Sequence, residues 1–166
     1  MQSPARRYAL AELFGDRGHQ LVEHIPHCRR LGMDVVRTGP CEATVRLPYR
    51  EELIGDPVRR VVFGGAITTL LDHAGGLAVF CALEDLKAIA TLDLRIDYLR
   101  AATPGLDLLG TATCYKLTTH VAFVRAVAYE RDPEEPFASA LGTFMVGANP
   151  TESPMARALR EKLEGS

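Results

Sequence analysis

The sequence predicts an α+β domain in which an antiparallel sheet packs on one long helix. Three observations carry this. Residues 61–83, VVFGGAITTLLDHAGGLAVFCAL, form a nearly uncharged run with helical periodicity; two runs rich in β-branched residues precede it and four strand-like runs follow it. The connections between those runs are short, which makes neighbouring strands antiparallel, because a parallel pairing needs a long crossover.

The elements follow in chain order. The first thirty residues read as a short helical arm stopped near Pro26. LGMDVVRTG (31–39) and CEATVRLPY (41–49), parted by a Gly-Pro turn, read as a hairpin. The helix starts near Gly64, and Ile67, Leu70, Leu71, Ala74, Leu77, Ala78 and Cys81 recur at three- and four-residue steps, forming one stripe that faces the sheet. ATLDLRIDYLR (90–100) alternates strictly, with Leu92, Leu94, Ile96 and Tyr98 on one face and Thr91, Asp93, Arg95 and Asp97 on the other. After Thr-Pro-Gly at 103–105, breaks at 118–120 and 132–135 divide the remainder into three runs, completing a four-strand meander. ESPMARALREKLEGS reads as a C-terminal helix with a charged face. The predicted boundaries are an arm over 1–30, a domain over 31–147 and a C-terminal helix or tail over 148–166.

Composition excludes several functions. With 166 residues, 47% of them hydrophobic, the chain is long and apolar enough for one globular core. Nineteen basic against twenty-one acidic residues, with no long block of like charge, mark neither a nucleic-acid groove nor a polybasic membrane anchor, so a small-molecule or protein partner is favoured. Cys28, Cys41, Cys81 and Cys114 form no CxxC pair, which argues against a zinc ribbon or redox motif and fits reduced thiols in the cytoplasm. The N-terminal apolar stretch is too short and too interrupted for a signal peptide. His19, His24, His27 and Cys28 lack metal-ligand spacing, and no metal is expected. Residues 61–83 are long enough to cross a bilayer as a helix, but Asp72 and His73 would then sit at its centre, so a buried helix in a soluble domain is the better reading.

The helix carries the candidate chemistry. Asp72 falls opposite the apolar stripe, flanked by Gly65, Thr68, Thr69, Gly75, Gly76 and Val79. Each helical glycine costs about 0.5–1 kcal/mol relative to alanine, so such a cluster implies that a substrate or another subunit approaches closely. Gly64 and Gly65 lie in the first turn, where amide groups lack intrahelical partners and the helix dipole favours negative charge. A carboxylate about two turns further along could act as general base or nucleophile on a carbonyl whose oxygen those amides hold, which suits acyl transfer. The bland alternative is a solvated aspartate on a polar face. His73 projects about 100° from Asp72, which favours packing or an interface contact over a shared catalytic role. His120 sits in a turn. Arg59, Arg60, Arg95 and Arg100 suit phosphate oxygens, or are simply solvated.

IPHCRRLGM (25–33), YREELIGDPVRRVVFGGAITTLLDHAGGLAVF (49–80) and ATLDLRIDYLRAATPGLDLLGTATCYKLTTHVAFVRAVAY (90–129) together resemble the PaaI-like branch of the hotdog-fold acyl-CoA thioesterases. The resemblance implies the hotdog fold, an antiparallel sheet wrapped around one central helix, assembled as a homodimer or dimer of dimers with active sites at the subunit interface. It makes Asp72 the catalytic carboxylate, activating water or attacking the thioester carbon. Gly65 becomes the amide that binds the thioester oxygen, and Thr91 a hydroxyl that helps place the water. Phe63, Gly64, Thr68 and Thr69 become substrate-binding positions.

Two residues depart from the family pattern: Phe63 stands where relatives carry histidine, and Asp56 where they carry asparagine. An aspartate at 56 would either repel Asp72 and raise its pKa or hold a proton and donate a hydrogen bond. The implied reaction is hydrolysis of a small or medium acyl-CoA, aromatic acyl groups included, with no cofactor beyond the coenzyme A of the substrate. A non-catalytic acyl-thioester binder on the same scaffold is the alternative that Phe63 supports. A hotdog hydratase or dehydratase is a third, weakened because no histidine and acid pair faces across the site.

Overall fold

A computed structural model describes residues 25–85 and 87–147. Residues 1–24 of the predicted arm, with His19 and His24, and the predicted C-terminal helix lie outside the described residues. In chain order the elements are α1 (Pro26–Leu31), β1 (Asp34–Gly39), β2 (Glu42–Leu47), a 3-10 turn (Glu51–Leu53), β3 (Ile54–Asp56), β4 (Val61–Val62), α2 (Gly64–Ala82), β5 (Ile89–Tyr98), β6 (Leu108–Leu117), β7 (Val121–Tyr129) and β8 (Ala138–Val146). Six strands form one antiparallel sheet in the order β1-β2-β6-β7-β8-β5, and β3 and β4 form a separate two-stranded piece just before α2. The α+β class and the single long helix agree with the sequence reading.

Thirteen of the nineteen residues of α2 are buried, including every member of the predicted apolar stripe. They pack on Ala43, Val45 and Leu47 of β2, Ala112 of β6, Val124 of β7 and Phe144 of β8 in one core. The membrane-length helix is thus covered by its own sheet. Cys28 and Met33, each 3% exposed, tie α1 and the strand that follows it into the same core.

Four expectations need correction. Pro26 opens a helix that runs past the predicted stop: it occupies the first turn of α1, where a missing N–H costs nothing, and Gly32 at φ +68° ends that helix. The meander holds for β6, β7 and β8 only; β5 crosses to the far edge and pairs with β8, while β6 joins the first hairpin through β2. Strict alternation fails at the start of β5. Thr91 pairs with Phe144 and Asp93 with Thr143, leaving Leu92 as a bulged residue between them. Partners across an antiparallel pair share a face, so Thr91 points with Phe144 toward the helix, on the side of Leu94, Ile96 and Tyr98.

The fourth correction concerns the glycines. Gly75 and Val79 are buried and do not flank Asp72 on an open face. A Cβ on Gly75 would stand 3.0 Å from Cζ of Phe144, so this glycine admits the sheet, not a ligand. At Gly76 the nearest atom to such a Cβ is Cδ1 of Ile89 at 3.6 Å, an ordinary contact. Gly75→Ala is therefore expected to destabilise the fold by about 1–2 kcal/mol through overpacking. Gly76→Ala should stabilise it by about 0.5–1 kcal/mol through helix propensity. Urea denaturation of the two variants checks both signs.

Candidate active site

Only six residues of α2 escape burial: Gly64, Gly65, Thr68, Thr69, Asp72 and Gly76. At helical spacing they make a narrow accessible stripe with Asp72 near its middle. The helix buries everything else because sheet and loops close around it, so its reactive groups are confined to this line.

At the head of the stripe, Phe63 occupies the N-cap position and offers no side-chain cap. The first backbone bond runs from the Ala66 N–H to the Phe63 carbonyl at 3.0 Å, and the Gly64 and Gly65 N–H groups have no backbone acceptor among the described residues. They are unpaired donors at the positive end of a nineteen-residue helix. The Phe63 ring lies against Gly65: a Cβ there would fall 2.5 Å from Cε1 of Phe63. The ring is otherwise 63% exposed, a large apolar surface beside the free amides.

Thr68 and Thr69 turn their hydroxyls back on the helix, donating to the Gly64 carbonyl at 3.1 Å and the Gly65 carbonyl at 2.9 Å. Their protons are spent locally, although oxygen lone pairs and methyl groups still face the stripe. Tyr98 reaches in from the end of β5 and donates its phenolic proton to the same Gly64 carbonyl at 3.1 Å. The strand pattern placed Tyr98 on the helix side, but nothing in the sequence signalled that its hydroxyl pins the helix start.

Thr91 and Asp72 meet directly: the Thr91 hydroxyl donates to Oδ1 of Asp72 at 2.7 Å. The bulge at Leu92 makes this contact, since unbroken alternation would turn Thr91 to the opposite face. Oδ2 of Asp72 accepts no hydrogen bond from the described residues. Cys28 of α1 is within electrostatic reach of Asp72: its thiol is pushed up to about 11, chiefly by burial and then by the Asp72 carboxylate.

Asp56 makes its hydrogen bonds within its own turn. Its Oδ1 accepts the N–H groups of Val58 at 2.9 Å and Arg59 at 3.1 Å, closing the turn between β3 and β4, and Arg59 sits 4.0 Å from its other oxygen. No hydrogen bond joins it to Asp72. His73 is buried, its Nε2 has no partner, and burial lowers its pKa to about 4. A neutral imidazole packed inside the domain fits the packing reading better than a proton shuttle beside Asp72.

The four arginines considered for phosphate binding are engaged elsewhere. Arg59 faces Asp56, Arg60 pairs with Glu51 at 2.6 Å, Arg95 with Asp97 at 3.0 Å and Arg100 with Glu130 at 2.6 Å. His120 stays in the exposed turn between β6 and β7.

The chain is similar to known proteins over most of its length. The thioesterase superfamily model matches residues 60–137. The medium/long-chain acyl-CoA thioesterase YigI of Escherichia coli K12 is 30% identical over 143 residues, covering 78% of this chain and 91% of that protein. A Pseudomonas aeruginosa protein of known crystal structure is 43% identical, with a TM-score of 0.70 over 78% of this chain and 96% of its own. A mutant of the phenylacetic acid degradation protein PaaI from Thermus thermophilus shares 25% identity, with a TM-score of 0.63 over 72% of this chain and 97% of its own.

Proposed function

The chain belongs to the thioesterase superfamily, and from that premise we propose that it hydrolyses the thioester of a medium-length acyl-CoA. The observation that carries the proposal is the pairing of Asp72 with Thr91 on the one accessible stripe of a helix whose first two amides are unpaired. Hydrolysis needs a base or nucleophile for the carbonyl carbon and donors for the oxygen that becomes negative, and this stripe carries both.

In the proposed mechanism the Gly65 N–H takes the thioester oxygen, and its bond strengthens as the tetrahedral oxyanion forms. Asp72 removes the proton from an attacking water as its oxygen bonds to the carbonyl carbon, and collapse of the tetrahedral intermediate breaks the C–S bond, the departing thiolate of coenzyme A taking up that proton; alternatively Asp72 adds to the carbon itself, displacing the thiolate, and water then hydrolyses the resulting acyl-aspartyl anhydride. Thr91, donating to Oδ1, fixes the carboxylate so that Oδ2 faces the reacting atoms. Phe63, lacking a hydrogen-bonding group, contributes apolar wall. The acyl length is supported by the YigI relative, named for medium and long chains; an aromatic acyl group remains a member of the test panel, in keeping with the PaaI relative.

The site is completed by a second copy of the chain. Among the described residues β5 pairs on one side only, with β8. Along and beside that free edge Leu92, Tyr98, Leu99 and Phe63 are all more than half exposed, a surface that pairing of two β5 strands would cover. Two helical turns, about 10 Å, separate Gly65 from Asp72 along one axis, so the facing copy also sets which amide meets which carboxylate.

The test is release of free thiol from a panel of acyl-CoA esters, short, medium, long and aromatic. Turnover highest at medium length supports the proposal. Tight binding of the esters with no thiol released would instead establish the binder reading, and Phe63→His would then ask whether the histidine is what is missing. Thr91→Val should lower kcat by about 5- to 30-fold with KM little changed, because one hydrogen bond to a charged group is lost while the substrate contacts stay; steady-state kinetics on the best ester checks this.

A further inference from the structure

We propose that a groove on the outer side of α1, built from Arg29, Arg30 and Arg50, seats the nucleotide phosphates of coenzyme A; this rests on the acyl-CoA reading above. The groove has a volume of about 690 Å³, with Pro26, Arg29 and Arg30 on one wall and Arg50, Glu52 and Leu53 on the other. Three guanidinium groups face one carboxylate, leaving a surplus of positive charge in a concave space.

Charge balance favours this groove, which gathers three guanidinium groups against one carboxylate. Arg37, Arg46, Arg59, Arg60, Arg95 and Arg100 each have a carboxylate within 4.0 Å. Arg131 stands among Glu130, Asp132 and Glu135. Arg29 and Arg30, by contrast, make no ion pair among the described residues. Arg50 is fixed in place by donating from Nη2 to the Arg30 carbonyl at 2.7 Å; it pairs with Glu52 at 3.8 Å, and its buried Nε has no partner among the described residues. One anchored and two exposed guanidinium forks around a hollow suit the several oxygens of a pyrophosphate and a 3′-phosphate better than any single anion.

The groove is also linked to the head of the reactive stripe through Leu53. The opposite face of α1 carries Cys28, whose thiol feels the Asp72 carboxylate. On the other wall, the carbonyl of Leu53 accepts the N–H of Phe63, the residue that opens α2, at 2.7 Å. Leu53 thus joins the groove to the start of α2, and the pantetheine arm of coenzyme A would run between phosphates in the groove and a thioester at that helix start.

The test compares two substrates and one ligand. The double variant Arg29→Ala/Arg30→Ala, altered only at exposed positions, is assayed with the best acyl-CoA and with the corresponding acyl-pantetheine, which lacks the nucleotide. Binding of free coenzyme A to native and variant protein is measured by calorimetry. The expected result is a KM for acyl-CoA raised about 10- to 30-fold with kcat unchanged, acyl-pantetheine kinetics unaltered, and coenzyme A binding weakened by a similar factor. Unchanged acyl-CoA kinetics, or equal losses with both substrates, would overturn the groove assignment. If the native protein hydrolyses neither ester yet binds coenzyme A through these arginines, the groove stands and the hydrolase reading falls.

Discussion

Asp72→Asn is expected to abolish thioester hydrolysis while leaving the fold intact, lowering kcat by about 100- to 10,000-fold, the range over which a positioned base or nucleophile acts. Asparagine keeps the size of the side chain and an oxygen able to accept the Thr91 proton, so the 2.7 Å contact that anchors the residue survives. What disappears is the negative charge. Because that charge also helps raise the Cys28 thiol, the same substitution should make Cys28 easier to ionise. A downward shift in the pH dependence of its reaction with a thiol reagent checks this. Retained turnover in the asparagine variant would remove Asp72 from the chemistry.

The second large effect is on stability in mild acid. His73 has a folded pKa of about 4 against an ordinary value of 6.5, through burial alone. The unfolded chain thus binds a proton that the native state refuses between those pH values, and stability falls as pH drops through them. The stabilisation is fully present above pH 6.5, and its loss by pH 4 amounts to about 3 kcal/mol, at about 1.4 kcal/mol per unit. His73→Leu should remove this slope and leave neutral-pH stability unchanged or slightly higher, since Nε2 forms no bond in the native state.

A second acidic window follows at lower pH. Glu130, hydrogen-bonded by both Nη atoms of Arg100 and by the Thr103 N–H, is held down to about 2. Its contribution is present above its ordinary value of 4.5 and is lost as pH falls toward 2. Denaturation midpoints of native and His73→Leu protein across pH 7 to pH 3 separate the two groups, the variant differing only in the upper window. A slope unchanged by the substitution would contradict the burial assigned to His73.

Much of this was legible in the sequence, and the rest was hidden for identifiable reasons. The 3.6-residue period over 64–82 located the helix and its apolar stripe, because burial against a sheet selects side chains at that spacing. The same period put Asp72 on the opposite line, with Gly65, Thr68 and Thr69. Alternation identified β5 but misplaced Thr91, since a bulge leaves no mark in a run that continues to alternate beyond it. Strand order was equally silent: β5 and β6 are neighbours in the chain but not in the sheet, where pairing is decided by the side on which the connection returns. Gly75 looked like a ligand position because a glycine records only that something comes close, and here that something is Phe144. Asp56 was legible only as a departure from the family pattern; its Asx turn with Val58 and Arg59 left no mark that the sequence reading used.

The most direct test of the central claim is a crystal structure of the Asp72→Asn variant soaked with the acyl-CoA that the native protein turns over fastest. The predicted electron density places the intact thioester with its carbonyl oxygen within hydrogen-bonding distance of a Gly65 amide and its carbon, or a water in line with it, against the side chain at position 72. A thioester bound with its carbonyl away from every Gly65 amide, and with residue 72 facing only solvent, would contradict it.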